Sequence, residues 1–470
     1  MLPFSEDRKV RLSRFAHMFH RPEYGATVHS LTSNSVFYDP TLAGIVQRLK
    51  EPATWREIKT NLEGSAQTTL IEDLLAQMAD VNLIVPADYD EMKYLQEVRS
   101  SVLCGPNFDI LFMLTTDACN LDCTYCFING SKPEGYKDSM MSAATAMASI
   151  DAFERWKSPE GEKSVVFYGG EPLLNMPAFV ATLEYLEKKI EEGVFKSDID
   201  RILITNGTLI DGSVARLIAQ HKVFPYVSID GPPELHNRQR PRKCGGGSYE
   251  MAVAGLQALR AVGIDPGISV TVTNEMLDTL PEILEWLVVN LEVKAVGFNM
   301  LESIPGRKYF GDDYGERFAE ALLQCQEVCD RYGVYEERVM RKTKQFAKRE
   351  IYVFDCAACG EQLTIAPDGQ VGVCQGFVGT REFFSGNVHD PDYDPRTDPI
   401  FIQWSEISPL AHSECFDCPA LGLCGGGCPR NPYLQGNGVN GIDTRFCAHV
   451  LKTQEWIIHR LYNRLYKTDV

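Results

Sequence analysis

The chain has 470 residues, of which 44% are hydrophobic and 23% are charged, a composition typical of a globular protein with several domains. It carries 46 Lys and Arg residues against 64 Asp and Glu residues, a formal net charge of −18. That balance argues against a general nucleic-acid binder or a binder of anionic membranes, since both need surplus cations. No apolar run reaches the roughly 18 residues of a membrane span, and the charged N-terminus lacks the apolar stretch of a secretory signal. We therefore expect a cytoplasmic protein.

The first 95 residues predict a small separate module. Residues 26–39 have the β-branched and aromatic content of a strand, and a short apolar strand is predicted at 83–87. Three helical patterns lie between them, at 41–50, 53–62 and 68–82. Strand, helices and strand over this length predict a winged-helix fold. Residues 90–106 are predicted to be a connector.

Residues 107–310 show a different pattern, in which predicted strands alternate with predicted helices. Six apolar runs predict strands at 109–115, 164–169, 201–206, 224–230, 266–272 and 294–300. Helical patterns fill the intervals at 142–156, 177–192, 211–221, 248–262 and 278–290. Strands that alternate with helices indicate right-handed crossovers and a parallel sheet, and hence the α/β class. Six units are too few for an eight-stranded barrel, which leaves an open partial barrel or a doubly wound sheet.

The C-terminal part of the chain is organised differently. We predict a helical bridge at 311–355, a segment rich in Cys, Gly and Pro at 356–450, and a closing amphipathic helix at 451–470. The middle segment has little periodicity and few core residues, so a metal is the obvious means of holding it together.

Fifteen cysteines are the anomaly of this composition, and most of them are clustered. An odd number without an export signal argues for metal or redox chemistry rather than disulfides. Cys119, Cys123 and Cys126 follow the first predicted strand, at the edge of a parallel sheet where active sites form. Three thiolates can hold three irons of a cubane cluster and leave the fourth iron open, whereas structural zinc normally has four ligands.

This C-x3-C-x2-C motif, with Tyr125 before its last cysteine, resembles the radical S-adenosylmethionine (radical SAM) superfamily. The resemblance implies a partial (β/α)6 TIM-like barrel, a four-iron cluster whose open iron binds SAM, and a 5′-deoxyadenosyl radical that abstracts a substrate hydrogen. Gly169, Gly170 and Glu171 match the family's GGEP motif after strand two. Asn206 ends strand three, and Ser228 begins an S-x-D-G-P element after strand four. For Arg240 a contact to the SAM carboxylate and a surface ion pair remain open alternatives.

The remaining clustered cysteines resemble the SPASM extension of radical SAM enzymes that modify peptides and proteins. The resemblance implies two auxiliary four-iron clusters, the nearer held by Cys356, Cys359, Cys374 and Cys428 and the farther by Cys415, Cys418, Cys424 and Cys447. Zinc is the alternative, because paired C-x2-C units often bind it. Cys104, Cys244, Cys325 and Cys329 are predicted not to be ligands. The spacing of Cys325 and Cys329 favours core packing on one helix face.

The N-terminal module resembles the RiPP recognition element (RRE), which binds the leader of a ribosomally made and post-translationally modified peptide. Such a fold adds an extended peptide to a sheet edge, here predicted in or near residues 26–39. DNA binding and a structural cap are the alternatives. The first 95 residues contain 10 Lys and Arg against 13 Asp and Glu, which counts against DNA.

Taken together, these features predict a radical SAM oxidoreductase that matures a precursor peptide by a thioether, C–C or C–O crosslink or another oxidation. An electron donor such as flavodoxin or ferredoxin is implied, and neither nucleic acid nor membrane is an expected partner. The alternatives are an enzyme on a small molecule, a non-catalytic iron–sulfur scaffold, and a relative of the anaerobic sulfatase maturases. The maturases carry an aspartate base where this chain has Gln375, which cannot accept a proton at neutral pH. The sequence names no catalytic side chain.

Overall fold

The computed structural model describes residue 5 and residues 7–59, 65–306 and 310–467, so the end of the helical pattern predicted at 53–62 lies outside the described residues. The described residues of the N-terminal region form six strands and four α-helices. They are β1 (Lys9–Leu12), β2 (Ala16–Arg21), β3 (Tyr24–His29), β4 (Ser35–Tyr38), α1 (Ala43–Arg48), β5 (Ala53–Thr54), α2 (Trp55–Lys59), α3 (Ser65–Asp80), β6 (Ile84–Pro86) and α4 (Glu91–Val102). The strands form two antiparallel three-stranded sheets, in the orders β5-β1-β6 and β2-β3-β4.

Three sequence expectations for this region are wrong in detail. The single strand at 26–39 is two strands, because a tight turn intervenes in which Ser33 adopts a positive φ of 58° and donates its N–H to the His29 carbonyl at 2.8 Å. Strands β1 and β2 were not predicted, since four to six residues carry little periodicity. The connector at 90–106 contains α4, whose N-terminus is capped by the Asp90 carboxylate accepting from Lys93 N at 3.0 Å.

The parallel sheet and its α/β class are confirmed. Its strands are β7 (Ile110–Thr116), β8 (Ser164–Gly169), β9 (Asp200–Thr205), β10 (Phe224–Ser228), β11 (Gly267–Val272) and β12 (Ala295–Met300), each within a few residues of its prediction. The helices are α5 (Ala143–Trp156), α6 (Met176–Glu191), α7 (Gly212–Gln220), α8 (Pro233–Gln239), α9 (Tyr249–Ala261) and α10 (Leu280–Leu291). Neighbouring strands pair in chain order from β7 to β12 and run parallel, as a partial TIM-like barrel requires. Only the short α8 was missed.

The sheet continues beyond these six strands at both ends. The helical bridge consists of α11 (Tyr314–Tyr332) and α12 (Glu337–Lys348), separated by the short strand β13 (Tyr335–Glu336), which pairs with β12. At the other end β14 (Gln362–Ile365) pairs in parallel with β7 and leads into β15 (Gln370–Gly372) and β16 (Phe384–Asn387). The cysteine-rich segment is therefore less irregular than its sequence suggested, because its first part completes the barrel sheet.

The chain closes with four helices: α13 (Pro399–Ser405), α14 (Leu421–Cys424), α15 (Arg430–Leu434) and α16 (Thr444–Tyr466). The sheet of β2, β3 and β4 packs against α16, where the ring of Tyr24 stacks on Tyr462 with centroids 4.1 Å apart. Gly422 N donates to the Ser30 carbonyl at 2.7 Å, which joins α14 to the same sheet. Within the described residues, no helix is both long enough and apolar enough to cross a membrane.

Candidate active site

The first cysteine triad lies on the loop that follows β7. The loop is bonded to the end of α8 and the residues after it: Asp122 N donates to Pro241 O at 2.8 Å, and Thr124 N donates to Gln239 O at 3.0 Å. Burial raises the pKa of the Cys119 thiol to about 11 and that of Cys123 to about 12. Burial disfavours the charged thiolate. A bound metal ion stabilises the thiolate, so metal binding releases the thiol proton.

The glycines of the GGEP motif are explained by close packing. A Cβ on Gly169 would lie 2.1 Å from the Thr116 carbonyl oxygen, and one on Gly170 would lie 2.0 Å from that of Ala118. Gly169 also has a φ of 136°, which side-chain-bearing residues avoid. The two glycines therefore let the end of β8 press against the cysteine loop. Their predicted contact with SAM stays a prediction.

Glu171 is fully buried, and its carboxylate is used inside the protein. It accepts from Thr205 Oγ1 and Asn206 N, both at 2.8 Å, and from Leu173 N at 3.2 Å. Burial raises the pKa of Glu171 to about 7, although the three hydrogen bonds lower it. Glu171 thus ties the end of β9 to β8. If the ammonium group of SAM also donates to Glu171, it must share the carboxylate with these three protein donors.

A buried ion pair joins the S-x-D-G-P element to Arg240. Arg240 Nε donates to Asp230 Oδ2 at 2.8 Å and Nη2 donates to Oδ1 at 3.0 Å. The hydroxyl of Tyr125 donates to the same carboxylate at 2.5 Å. The alternative of a surface ion pair for Arg240 is therefore wrong, since both partners are buried. Sequence reasoning missed the role of Asp230, for which the polar SID sequence at the end of a strand was the available signal.

The other predicted cofactor residues lie at the same edge of the sheet. Asn206 donates from Nδ2 to Asn120 Oδ1 at 2.9 Å, beside Cys119, so it borders the triad. Ser228 is the last residue of β10, the strand next to β9. His236 is fully buried, and burial lowers its pKa to about 4, so it acts as a neutral packing residue next to Ser248 Oγ.

The C-terminal cysteines separate into two groups, as the SPASM resemblance implies. The nearer group brings together Cys356, Cys359, Cys374 and Cys428. Cys356 and Cys359 share a hydrogen bond, and burial with the nearby Cys356 raises the pKa of Cys374 to about 12. Burial raises the pKa of Cys428, and the charges of Cys356 and Cys374 raise it further.

The farther group brings together Cys415, Cys418, Cys424 and Cys447. Burial raises the pKa of Cys447 to about 11, with Cys415 and Cys418 adding to the effect. Burial raises the pKa of Cys424, and the charges of Cys447 and Cys418 raise it further. Beside it, the buried Lys342 ammonium donates to Cys424 O at 2.6 Å and to Asp355 Oδ1 at 2.9 Å. A fixed cation therefore lies next to this group of thiols.

The three groups of thiols supply the type of ligand that iron–sulfur clusters take. Over the described ranges, no group of three or more Cys, His, Asp or Glu side chains is arranged to hold a metal ion. A cubane cluster makes a different demand, because each of its cysteines binds a different iron. Outside the three groups, Cys325 and Cys329 are buried in the core of α11, as their spacing predicts, and Cys104 and Cys244 are exposed.

Comparison with known proteins agrees with this geometry. Residues 113–287 match the family described as the radical SAM superfamily. The chain is 27% identical over 356 residues to a serine-type anaerobic sulfatase-maturating enzyme of Klebsiella aerogenes, covering 73% of this chain and 85% of that enzyme. It is 21% identical over 445 residues to the radical SAM cyclopropyl synthase TigE of Paramaledivibacter caminithermalis, covering 90% of each. SuiB of Streptococcus suis, solved bound to its precursor peptide SuiA, superposes with a TM-score of 0.55 at 15% identity, covering 93% of this chain and 99% of SuiB.

The chain therefore contains a radical SAM domain with a cysteine-rich C-terminal extension. It is an oxidoreductase-type enzyme whose cofactors are S-adenosylmethionine and iron–sulfur clusters.

Proposed function

We propose that this protein is a peptide maturase that acts on a ribosomally made precursor. The carrying observation is the extent of the matches. Those to TigE and SuiB cover 90% and 93% of the chain and must include part of residues 1–95, whereas the match to the sulfatase-maturating enzyme covers 73%. SuiB binds its precursor peptide SuiA. Residues 1–95 would form the leader-binding domain of this chain, ahead of the barrel at 107–310, the bridge at 311–355, the cluster domain at 356–450 and the last helix at 451–470.

The edge of β4 is suited to receive a leader. Among the described residues β4 is an edge strand that pairs on one side only, with β3, where Val36 lies opposite Thr27 and Ser35 lies opposite Val28. Because His29 N bonds to Asn34 O, the alternation of an antiparallel ladder turns the N–H groups of Ser35 and Phe37 outward. An extended leader can bond to these groups as an added strand, and its alternate side chains give selectivity.

The cofactors would be held by the groups described above. Cys119, Cys123 and Cys126 would ligate the SAM-binding [4Fe–4S] cluster, and the nearer and farther groups would each ligate one auxiliary [4Fe–4S] cluster. Tyr125, Gly169, Gly170, Glu171, Asn206, Ser228 and Arg240 would line the SAM site. When bound and reduced, these cofactors supply a 5′-deoxyadenosyl radical that takes a hydrogen atom from the substrate.

The chain's own residues would orient that chemistry. The Asp230 carboxylate accepts hydrogen bonds from both the Arg240 guanidinium and the Tyr125 hydroxyl, so these groups are held in place before any ligand binds. The nearer group would lie beyond the substrate and receive the electron left after hydrogen abstraction, or contact the substrate. A flavodoxin or ferredoxin would exchange electrons with the enzyme. The product would be a crosslink or another oxidation of the core peptide.

Sulfatase maturation is the second candidate, supported by the 27% identity to the enzyme of Klebsiella aerogenes. Its weakness is Gln375, whose Oε1 accepts from Nε2 of the buried Gln362 at 3.0 Å. An amide held in this way offers no proton acceptor next to Cys374.

The two candidates separate in one experiment. The reconstituted full-length enzyme is incubated anaerobically with SAM and a reductant, together with either the short peptide encoded beside its gene or a peptide from a sulfatase active site. Peptide maturation predicts a mass change in the first peptide only, and a much smaller change when its leader is removed. A change in the sulfatase peptide alone would replace the proposal by the second candidate.

A further inference from the structure

Tyr168 faces the inside of the barrel at the end of β8. Its neighbour Phe167 points the other way and packs against Phe179 of α6, with ring centroids 4.6 Å apart. Successive side chains of a strand alternate between its faces, so Tyr168 lies on the inner face, opposite Leu114 of β7. It immediately precedes the two glycines that pack on the cysteine loop.

The surroundings of Tyr168 place it between two cysteine groups. Its ring belongs to the small apolar cluster that also contains Cys126, Phe127 and Phe384. Phe112 contacts it edge to face at 5.9 Å. Burial raises the pKa of Tyr168, and the charges of Cys126 and Cys374 raise it further. The ring is therefore close to Cys126 of the first triad and to Cys374 of the nearer group.

The hydroxyl of Tyr168 has no hydrogen-bond partner among the described residues, yet it is not sealed from solvent. Other inward tyrosines of the chain are satisfied. Tyr125 donates to Asp230, and Tyr314 donates to Val272 O at 2.7 Å. Because the Tyr168 hydroxyl reaches solvent and no described group of the protein bonds to it, it is open to a ligand.

A buried carboxylate lies at the same edge. Glu302 follows β12 and shares a side-chain hydrogen bond with Cys428 of the nearer group, while its Oε2 is buried without a partner among the described residues. Two buried arginines bind the main chain on each side of it: Arg430 Nη1 donates to Ser303 O at 2.6 Å, and Arg445 Nη1 donates to Leu301 O. The main chain on both sides of Glu302 is therefore held by the two arginines, and Glu302 Oε2 is left without a partner in the described part of the chain.

We propose that the Tyr168 hydroxyl donates a hydrogen bond to a carbonyl of the substrate residue from which hydrogen is abstracted. This inference rests on the proposed function and names a residue that touches the reacting segment. A carbonyl held there lies between the triad, where the radical forms, and the nearer group. The bond fixes which C–H is presented, so Tyr168 determines the site of reaction as well as its rate.

The test is Tyr168→Phe in the reconstituted full-length enzyme, with the synthetic precursor peptide encoded beside the gene as probe. Phenylalanine keeps the ring and its apolar contacts and removes only the hydroxyl. We expect the iron content and the peptide-free release of 5′-deoxyadenosine to match the wild type. Product formed per 5′-deoxyadenosine should fall by about 10-fold, because the substrate is misplaced rather than lost. Tyr226→Phe, on β10 and away from the cysteine groups, is the matched control.

The outcomes are distinguishable. Unchanged product per 5′-deoxyadenosine in Tyr168→Phe, with a wild-type enzyme that modifies the peptide, overturns this inference and leaves the proposed function standing. Loss of iron or an altered auxiliary-cluster EPR signal in Tyr168→Phe also overturns it, since the residue would then support a cluster. A wild-type enzyme that modifies no peptide overturns both.

Discussion

Arg14 of the N-terminal module donates two hydrogen bonds to Asp417, from Nε to Oδ1 at 2.6 Å and from Nη2 to Oδ2 at 2.9 Å. Asp417 lies between Cys415 and Cys418 of the farther group. The module is thus anchored on the segment that carries those cysteines, and not only tethered by α4. The N-terminal module therefore contacts the cysteine-bearing segment directly.

Replacing Gly422 by Ala should weaken the packing of the N-terminal module on the segment that carries the farther group. The added Cβ would lie 2.2 Å from the Leu31 carbonyl oxygen, so the module has to move. We expect faster amide hydrogen exchange in residues 24–38, unchanged exchange in α5, and a cost of about 1–3 kcal/mol. Gly44→Ala is the control, since a Cβ there meets nothing within 4 Å. Equal exchange in the two variants would contradict the anchoring role.

Substituting Ser35 by Pro should disable the proposed leader edge. Proline removes the outward N–H of Ser35 and leaves the inward bonds between β3 and β4 in place. Binding of the precursor to the full-length enzyme, measured by titration calorimetry, should weaken by about 10-fold, which corresponds to about 1.4 kcal/mol. Release of 5′-deoxyadenosine without peptide should persist. Ser35→Ala keeps the N–H and should bind as the wild type does. If both variants bind equally well, the leader uses another edge.

Alanine at Cys119, Cys123 and Cys126 together should remove one cluster of three. Iron should fall from about twelve to about eight atoms per chain, because each cubane holds four irons. Cleavage of SAM should be lost. The exposed Cys244 is the control, and Cys244→Ala should retain full iron and activity. Zinc in place of iron at the C-terminal groups would show the auxiliary-cluster assignment to be wrong.

Glu171 should make folding stability pH-dependent. Burial raises its pKa from 4.5 to about 7, so the folded protein binds this proton more tightly than the unfolded chain does. Its contribution to stability is therefore present below pH 4.5 and is lost as the pH rises to about 7. In Glu171→Gln the free energy of unfolding, measured by urea titration, should fall less steeply over that range, by at most about 1.4 kcal/mol per pH unit. Glu184→Gln, exposed on α6, should keep the wild-type slope.

The barrel could be predicted from sequence because its strands are buried on both faces. Runs such as 164–169 and 201–206 have continuously apolar centres, and the helices between them carry a clear periodicity. The N-terminal strands escaped prediction for the opposite reason. Lys9–Leu12 and Ala16–Arg21 are short, and their burial comes from partners far along the chain, such as β6 and α16.

The site was predictable in its cysteines and less so in its supporting polar groups. Spacing places thiols in groups, because thiolates close in sequence can reach one cluster. Nothing local in the sequence pairs Asp230 with both Arg240 and Tyr125, or sets Lys342 beside Cys424. Those contacts depend on crossings between strands, loops and helices that only the folded chain defines.

Hydrogen transfer from the peptide to the cofactor tests the central claim most directly. The reconstituted enzyme is given SAM, a reductant and a precursor peptide whose carbon-bound hydrogens are deuterium, and the 5′-deoxyadenosine is analysed by mass spectrometry. A maturase acting on this peptide predicts 5′-deoxyadenosine carrying one deuterium, in an amount that follows the modified peptide. Unlabelled 5′-deoxyadenosine alone, with the peptide recovered unchanged, would contradict it.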